Sequence, residues 1–360
     1  METLPEVIIM KQWIKIVGTG RLGSRHLTYD EAVAAAHAIA RGESTDAQTA
    51  AFLMAMRMKG EADDEMMGFI DVFRKYSLPY RSFSHSLNCA GPYDGRLYFP
   101  VTIPVSLLLA SVGFPQVLHG SESLPPKLGQ SLKELLEGLG VRVELEAKEW
   151  EKNFLTLGIG FIWTDLICPP FGRVRHVREQ VGLRTFLNTV EKVINPVHSL
   201  NMVIGVNHKT AMDHLIHLLP KSGFETAYIV QGVEGSEDLP TYKNSSIRKV
   251  TPWGDESSTI DPATFGFSGE PLEKCTKERQ LELLRRIIAG DDSADIRNER
   301  EHVIFNTGLR LYWFDKVASY EEGFGLARSL LQRKEAQKLL GKWQELSSRS
   351  AFPSRLQANG

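Results

Sequence analysis

The stretch from Leu87 to Val141 constrains the chain more than any other. A short apolar piece enters a turn at Gly91 to Gly95, a long apolar run follows from Val101 to Val112, and a second short apolar piece spans Gln116 to Leu118. The long run fits a buried helix and the glycines with Asp94 fit a turn, so the unit reads strand, turn, helix, strand. Open α/β sheets bind ligands at the carboxyl ends of their strands. The loops at Gly91 to Gly95 and His119 to Ser123 are therefore expected side by side at a site.

With 360 residues the chain has room for a helical lobe joined to a larger α/β lobe. Its 42 lysines and arginines against 44 acids give a formal charge of -2, which removes any global electrostatic case for nucleic acid or an anionic membrane. Local basic patches stay open. Cys89, Cys168 and Cys275 lie far apart, with neither a disulfide framework nor zinc spacing. The N-terminal residues lack the basic start and apolar core of a signal peptide, and no run approaches the roughly 18 apolar residues of a membrane span. A reduced, cytoplasmic protein without membrane association is expected.

Ile14 to Ser24 matches a dinucleotide-binding fingerprint through Gly18, Gly20 and Gly23. That fingerprint needs a helix opening within the glycines and a second strand ending in an acid. Neither follows, so a glycine-loosened loop before the first full helix is expected. Thr28 and Glu31 form a capping box before the helix Glu31 to Ala40; Thr45 and Gln48 form a second before Ala50 to Met58; Asp63 to Lys75 is a third helix. Residues 1–80 are thus a small N-terminal all-helical bundle. Met54, Met56, Met58, Met66 and Met67 give it an adaptable apolar surface, either core or a dimer contact.

Residues 81–346 read as a larger α/β domain with a central, mostly parallel sheet flanked by helices. Beyond the Leu87 unit, Arg142 to Leu145 alternates like an edge strand and Gly158 to Trp163 is a second apolar piece. Phe171 to Arg184 is the densest basic segment, with Arg173, Arg175, His176, Arg178 and Arg184; it is either a solvated helix face or an anion contact. Strands are expected at Met202 to Val206 and Thr226 to Gln231, with a helix from Ala211 to Leu219 between them. The second strand leads into Glu234, Glu237 and Asp238, either an acidic turn or an oxygen site for magnesium. His208, His214 and His217 lack a partner ligand at metal spacing. Lys249 to Gly269 is a long polar loop, at most a short hairpin, and four more helices lie at Leu272 to Ala289, Arg297 to Trp313, Tyr320 to Leu330 and Gln332 to Glu345. The tail 347–360 is expected to be disordered.

The order of these elements, with Leu27 to Ala32, Arg41 to Glu43, Ala50 to Gly60, His119-Gly120, Val177 to Thr185, Asn195-Pro196 and Gly232 to Asp238, resembles anthranilate phosphoribosyltransferase and its glycosyltransferase relatives. The resemblance covers nearly the whole chain. It implies a helical lobe that dimerises, joined in space by part of 170–198, and transfer of phosphoribose from its diphosphate to an acceptor amine with Mg2+. It places a donor loop at Gly91, Asp94, Gly95 and Thr102. His119, Gly120, Ser121 and Arg178 would meet an aromatic or carboxylate acceptor, and Glu237 with Asp238 would carry the magnesium. No catalytic residue is singled out.

The departures fall on the donor side. The family's Gly-Thr-Gly-Gly-Asp turn corresponds to Ala90-Gly91-Pro92-Tyr93-Asp94, where Pro92 has no N–H for a phosphate and Tyr93 adds bulk. The family's asparagine, serine and threonine on the next helix correspond to Pro100, Thr102 and Ile103, its lysine before the His-Gly pair to Leu118, and its asparagine after that pair to Ser121. Each lost charged contact costs about 1.5–3 kcal/mol, so weakened or altered use of the phosphoribosyl diphosphate is expected. Tyr93-Asp94-Gly95-Arg96 before an apolar helix looks like a divergent branch of the family that includes nucleic-acid-binding members. The alternative function is therefore a non-catalytic nucleic-acid-binding protein on the same scaffold, using Lys11, Lys15, Arg21, Arg25, Arg173, Arg175 and Arg184.

Overall fold

Capping side chains decide where the first helices begin. A computed structural model of the chain describes residues 7–20 and 22–349. Four helices open it: α1 (Val7–Gly18), α2 (Tyr29–Arg41), α3 (Asp46–Lys59) and α4 (Asp63–Tyr76). The Thr28 and Thr45 hydroxyls accept from the N–H groups of Glu31 and Gln48, whose side chains reach back to the cap residues. Gly20 and Gly23 lie in a loop as expected, but a full helix, α1, precedes it and buries Met10 and Val17 against the bundle. The glycines of the apparent fingerprint therefore follow a helix and not a strand.

Seven strands form one sheet: β1 (Leu87–Ala90), β2 (Gln116–Gly120), β3 (Ile159–Trp163), β4 (Asn201–Gly205), β5 (Thr226–Val230), β6 (Ser245–Thr251) and β7 (Gly254–Ile260), in the order β3-β2-β1-β4-β5-β6-β7. The first five are parallel, and β6 and β7 add an antiparallel hairpin at one edge. Apolar residues fill both faces. Leu87, Cys89, Leu118 and Val203 join the core under α5 (Thr102–Ser111) and the C-terminal helices, whereas Val117, Met202 and Ile204 join the core shared with the helical bundle. Two-sided burial explains why these strands are short continuous apolar runs.

Three further expectations change. Residues 142–145 form no strand: Val143 and Leu145 are buried alternately, but the Arg142 N–H donates to the Ser347 hydroxyl at 3.1 Å and not to a neighbouring strand. The polar stretch after Lys249 holds most of a hairpin of two seven-residue strands, and six of the seven β7 residues are exposed, which hid it as a loop. The last helix, Glu335–Arg349, runs through residues expected to be disordered; residues 350–360 lie outside the described residues. The helices Pro169–Val181 and Leu187–Val193 pack back onto the bundle, so this middle segment joins the two lobes. Arg74 of α4 fastens it, donating to the carbonyls of Ile194 (2.7 Å), Val193 (2.9 Å) and Ser222 (2.7 Å).

Candidate functional site

The chain runs from β1 outward to β2 and β3 and then returns to β4 and β5 on the other side, so the strand order reverses between β1 and β4. A crevice is expected beyond the carboxyl ends of strands at such a point. It is there: a cleft of about 300 Å³ takes Tyr93 and Asp94 from the turn after β1, Asn207 and His208 from the turn after β4, Arg184 and Lys192 from the middle segment, and Glu61 and Asp63 from the helical lobe. His214 also lines it, and no group of three or more metal-ligating side chains occurs among the described residues.

Two tight backbone approaches set the geometry beneath the cleft. Gly95 has φ 73°, and a Cβ there would sit 2.1 Å from the Gly129 carbonyl oxygen; only glycine fits. The Arg96 N–H donates to Gln130 at 2.8 Å and the Gln130 N–H returns to Arg96 at 2.9 Å, which anchors the backbone from which the Arg96 side chain turns inward. Across the sheet ends, a Cβ on Gly205 would lie 1.9 Å from the Ser236 carbonyl oxygen, so the turn after β5 drops onto the end of β4. Glu237 and Asp238 are thereby carried into the interior.

There they meet guanidinium groups. Arg96, 2% exposed, donates to Asp238, to Glu237 Oε1 at 3.0 Å and to Thr102 Oγ1 at 2.5 Å. Thr102 in turn donates to Glu237. Arg310, buried on the helix Arg297–Trp313, donates to the Glu237 carbonyl at 3.0 Å and to Asp238 Oδ1 at 3.3 Å. Burial alone would lower the pKa of Arg96, but Asp238 and Glu237 outweigh it and hold the group above its ordinary value. Two positive and two negative groups thus close on one another, and the residues expected to carry magnesium do not fit that ion as they stand.

The other expected residues are also engaged. Asp94 accepts from Arg184 at 2.7 Å and lies 3.3 Å from Lys127. Glu234 pairs with Lys127 at 3.1 Å, and its carboxylate accepts the N–H groups of Leu97 (3.0 Å) and Tyr98 (3.3 Å). Ser121 and Arg178 converge on Glu191, at 2.5 and 2.9 Å, with the Thr164 hydroxyl at 2.8 Å. Burial would raise the pKa of Glu191; Arg178 and the two hydroxyls outweigh it and hold the carboxylate below its usual range. His119, 1% exposed, has no partner for either ring nitrogen among the described residues, and burial pushes its pKa down to about 4. Of the ten residues expected at the site, Asp94 alone lines the cleft. Gly91, Gly95, Thr102, His119, Gly120, Ser121, Arg178, Glu237 and Asp238 are not part of its lining.

The basic segment is similarly committed to internal acceptors. Arg173 donates to the Ala40 carbonyl, Arg175 pairs with Asp165 (3.0 Å) and Glu179 (2.9 Å), and Arg25 pairs with Glu31. Lys11 and Lys15 are exposed, and Arg21 lies outside the described residues.

A glycosyl transferase family model for the helical bundle domain matches residues 11–77, and the model for the family's a/b domain matches residues 91–337. The chain belongs to this family. It is 29% identical over 89% of its length to the anthranilate phosphoribosyltransferase of Pelotomaculum thermopropionicum, covering 91% of that protein. It is 28% identical to that of Herpetosiphon aurantiacus, over 89% of this chain and 95% of the relative. Among solved structures, anthranilate phosphoribosyltransferase from Thermus thermophilus shares the fold with a TM-score of 0.81 at 24% identity, over 94% of this chain and 99% of that one. The Saccharomyces cerevisiae enzyme in complex with PRPP and Mg gives 0.80 at 16% identity, over 95% and 98%. These relatives are phosphoribosyltransferases, so the family is one of pentosyltransferases.

Sequence reasoning missed the groups that close this site: Arg96, Lys127, Glu191, Lys192 and Arg310. Arg96 carried one signal, its place directly after the Asp94-Gly95 turn. Arg310 carried none, because an arginine within a long helix normally faces solvent.

Proposed function

We propose that this member of the family does not carry out magnesium-dependent phosphoribosyl transfer to anthranilate, and that its switch-point cleft binds a small ligand without metal. The observation that carries this reading is Arg96, whose guanidinium sits between Glu237 and Asp238 where a divalent cation would need their oxygens. Glu234 supports it from the opposite sign: its carboxylate already takes the N–H groups of Leu97 and Tyr98, backbone donors that follow the turn after β1, and so puts a fixed negative charge beside the loop where a diphosphate would have to sit. The chain thus supplies an internal cation and an internal anion, and displacing either strands a buried charge. Removing one partner of a buried pair typically costs about 3–5 kcal/mol, which a loosely held donor does not return.

Calorimetry with phosphoribosyl diphosphate, with and without magnesium, tests this directly. Binding is expected to be weak and unchanged by the metal, and the gene is expected not to rescue a strain lacking anthranilate phosphoribosyltransferase. Tight, magnesium-dependent donor binding, or rescue, overturns it. The nucleic-acid alternative has less support, since Arg173 and Arg175 already hold internal acceptors. A homodimer through the helical lobe belongs to the same proposal: Met58 of α3 is 80% exposed, on a bundle whose other face is covered by the α/β lobe.

A further inference from the structure

We propose that Lys192 is a carbonyl-reactive amine, and that the cleft takes a small aldehyde or ketone bearing an anionic group, held as a reversible imine. Lys192 stands on the helix Leu187–Val193 with its amine part-buried at the cleft wall. Its one protein hydrogen bond among the described residues goes to the Gly205 carbonyl at 3.2 Å, and no carboxylate oxygen of those residues lies within ion-pair distance. The Tyr93 ring centroid is 5.9 Å away, and Ile204, Val206 and Leu215 make the adjoining floor apolar. A desolvated lysine beside other cations is a usual setting of an amine nucleophile.

The charged surroundings are mixed. Glu237 and Asp94 favour the ammonium form, from the turns after β5 and β1. Arg184 and Lys127 oppose it, and His119 faces the amine from the end of β2. Burial is the largest influence and brings the amine down to about 8. At pH 7.5 such a group is unprotonated to roughly a quarter, against about one part in a thousand for an ordinary lysine. The nitrogen lone pair adds to the carbonyl carbon, the two amine hydrogens leave with the carbonyl oxygen as one water, and hydrolysis reverses the step. Arg184 lines the same cleft with a third of its side chain exposed and gives Asp94 only one guanidinium nitrogen, so its outer N–H groups are placed to meet the anionic group.

This inference does not rest on the closed metal site, because labelling is read without donor or magnesium. The intact protein is treated with pyridoxal 5′-phosphate or with pyridoxal, reduced with borohydride and mapped by peptide mass spectrometry from pH 6.5 to 9.5. The Lys192 peptide is expected to label at least tenfold faster than that of exposed Lys148, with a midpoint near pH 8, and faster with the phosphorylated aldehyde. Arg184→Gln is expected to remove the difference between the two aldehydes, and Lys192→Arg to abolish labelling of that peptide. The ratio of peptides within the unmodified protein decides the matter even if the Lys192 variant does not fold. Lys192 labelling no faster than Lys148, or rising without a midpoint up to the highest pH, overturns the proposal; equal labelling by both aldehydes overturns its anionic part.

Discussion

Arg96 alters the chemistry of the site more than any other residue, because a fixed guanidinium cannot leave as an ion can. Arg96→Ala is expected to cost about 3–5 kcal/mol in urea unfolding, the penalty of leaving Glu237 and Asp238 with Arg310 as their remaining cation. The same variant is expected to gain a melting temperature that rises with manganese or magnesium, an effect absent from the parent; a flat response in both would show that the carboxylates cannot be turned toward a metal. The buried histidines give a second residue-scale test. Burial brings both His119 and His302 down to about 4, below the ordinary value of 6.5. Between these values the unfolded chain binds protons that the folded chain refuses, so stability falls as pH drops from 6.5 toward 4 and is unaffected by these groups above that window. Each group accounts for up to about 3 kcal/mol. His119→Gln should flatten the acid limb of a stability-against-pH curve by about half of the joint effect, with His302 supplying the rest.

At the scale of elements, the turns after β1 and β5 form one locked unit through Glu234, Lys127 and Asp94. Glu234→Gln keeps the shape but weakens its acceptance of the Leu97 and Tyr98 N–H groups, and is expected to cost about 1–2 kcal/mol and to raise hydrogen exchange at those two amides above that of α5. Unchanged exchange there would show that the loop is held by packing alone. The strand, turn and helix of this unit were legible in the sequence because their signals are local: Gly and Asp at the turn, an unbroken apolar run in α5, capping boxes at Thr28 and Thr45. What was not legible depends on partners far along the chain. Glu191 with Ser121 and Arg178, and Arg96 with Glu237, are separated by 13 to 141 positions, and no periodicity links them. The Leu118 position shows the same limit. Its departure from the family's lysine was visible, but only the fold shows the side chain in the core beneath α5, where Leu118→Lys would bury a charge and not simply restore a contact.

At the scale of the molecule, the middle segment that carries Arg178, Glu191 and Lys192 also joins the two lobes, so the site and the lobe interface share one support. Arg74 clamps that support by the Val193 and Ile194 carbonyls and ties it to the Ser222 carbonyl, and burial holds its pKa down to about 10, still protonated at neutral pH. A lobe fastened this way offers its outer surface, and not its inner one, to a partner. The outer surface includes Met58 at 80% exposure, with Met54 and Ala55 half-buried beside it on α3. Apolar side chains left in water on a helix whose opposite face is packed are what an interface between two copies requires. Light scattering at tens of micromolar is therefore expected to give twice the chain mass of 40.4 kDa. Met58→Asp should lower that toward a single chain while leaving the unfolding midpoint measured at low protein concentration unchanged, since the side chain is 80% exposed. A monomer before substitution would remove the dimer, and a variant that unfolds without dissociating would show that Met58 serves the bundle and not a second copy.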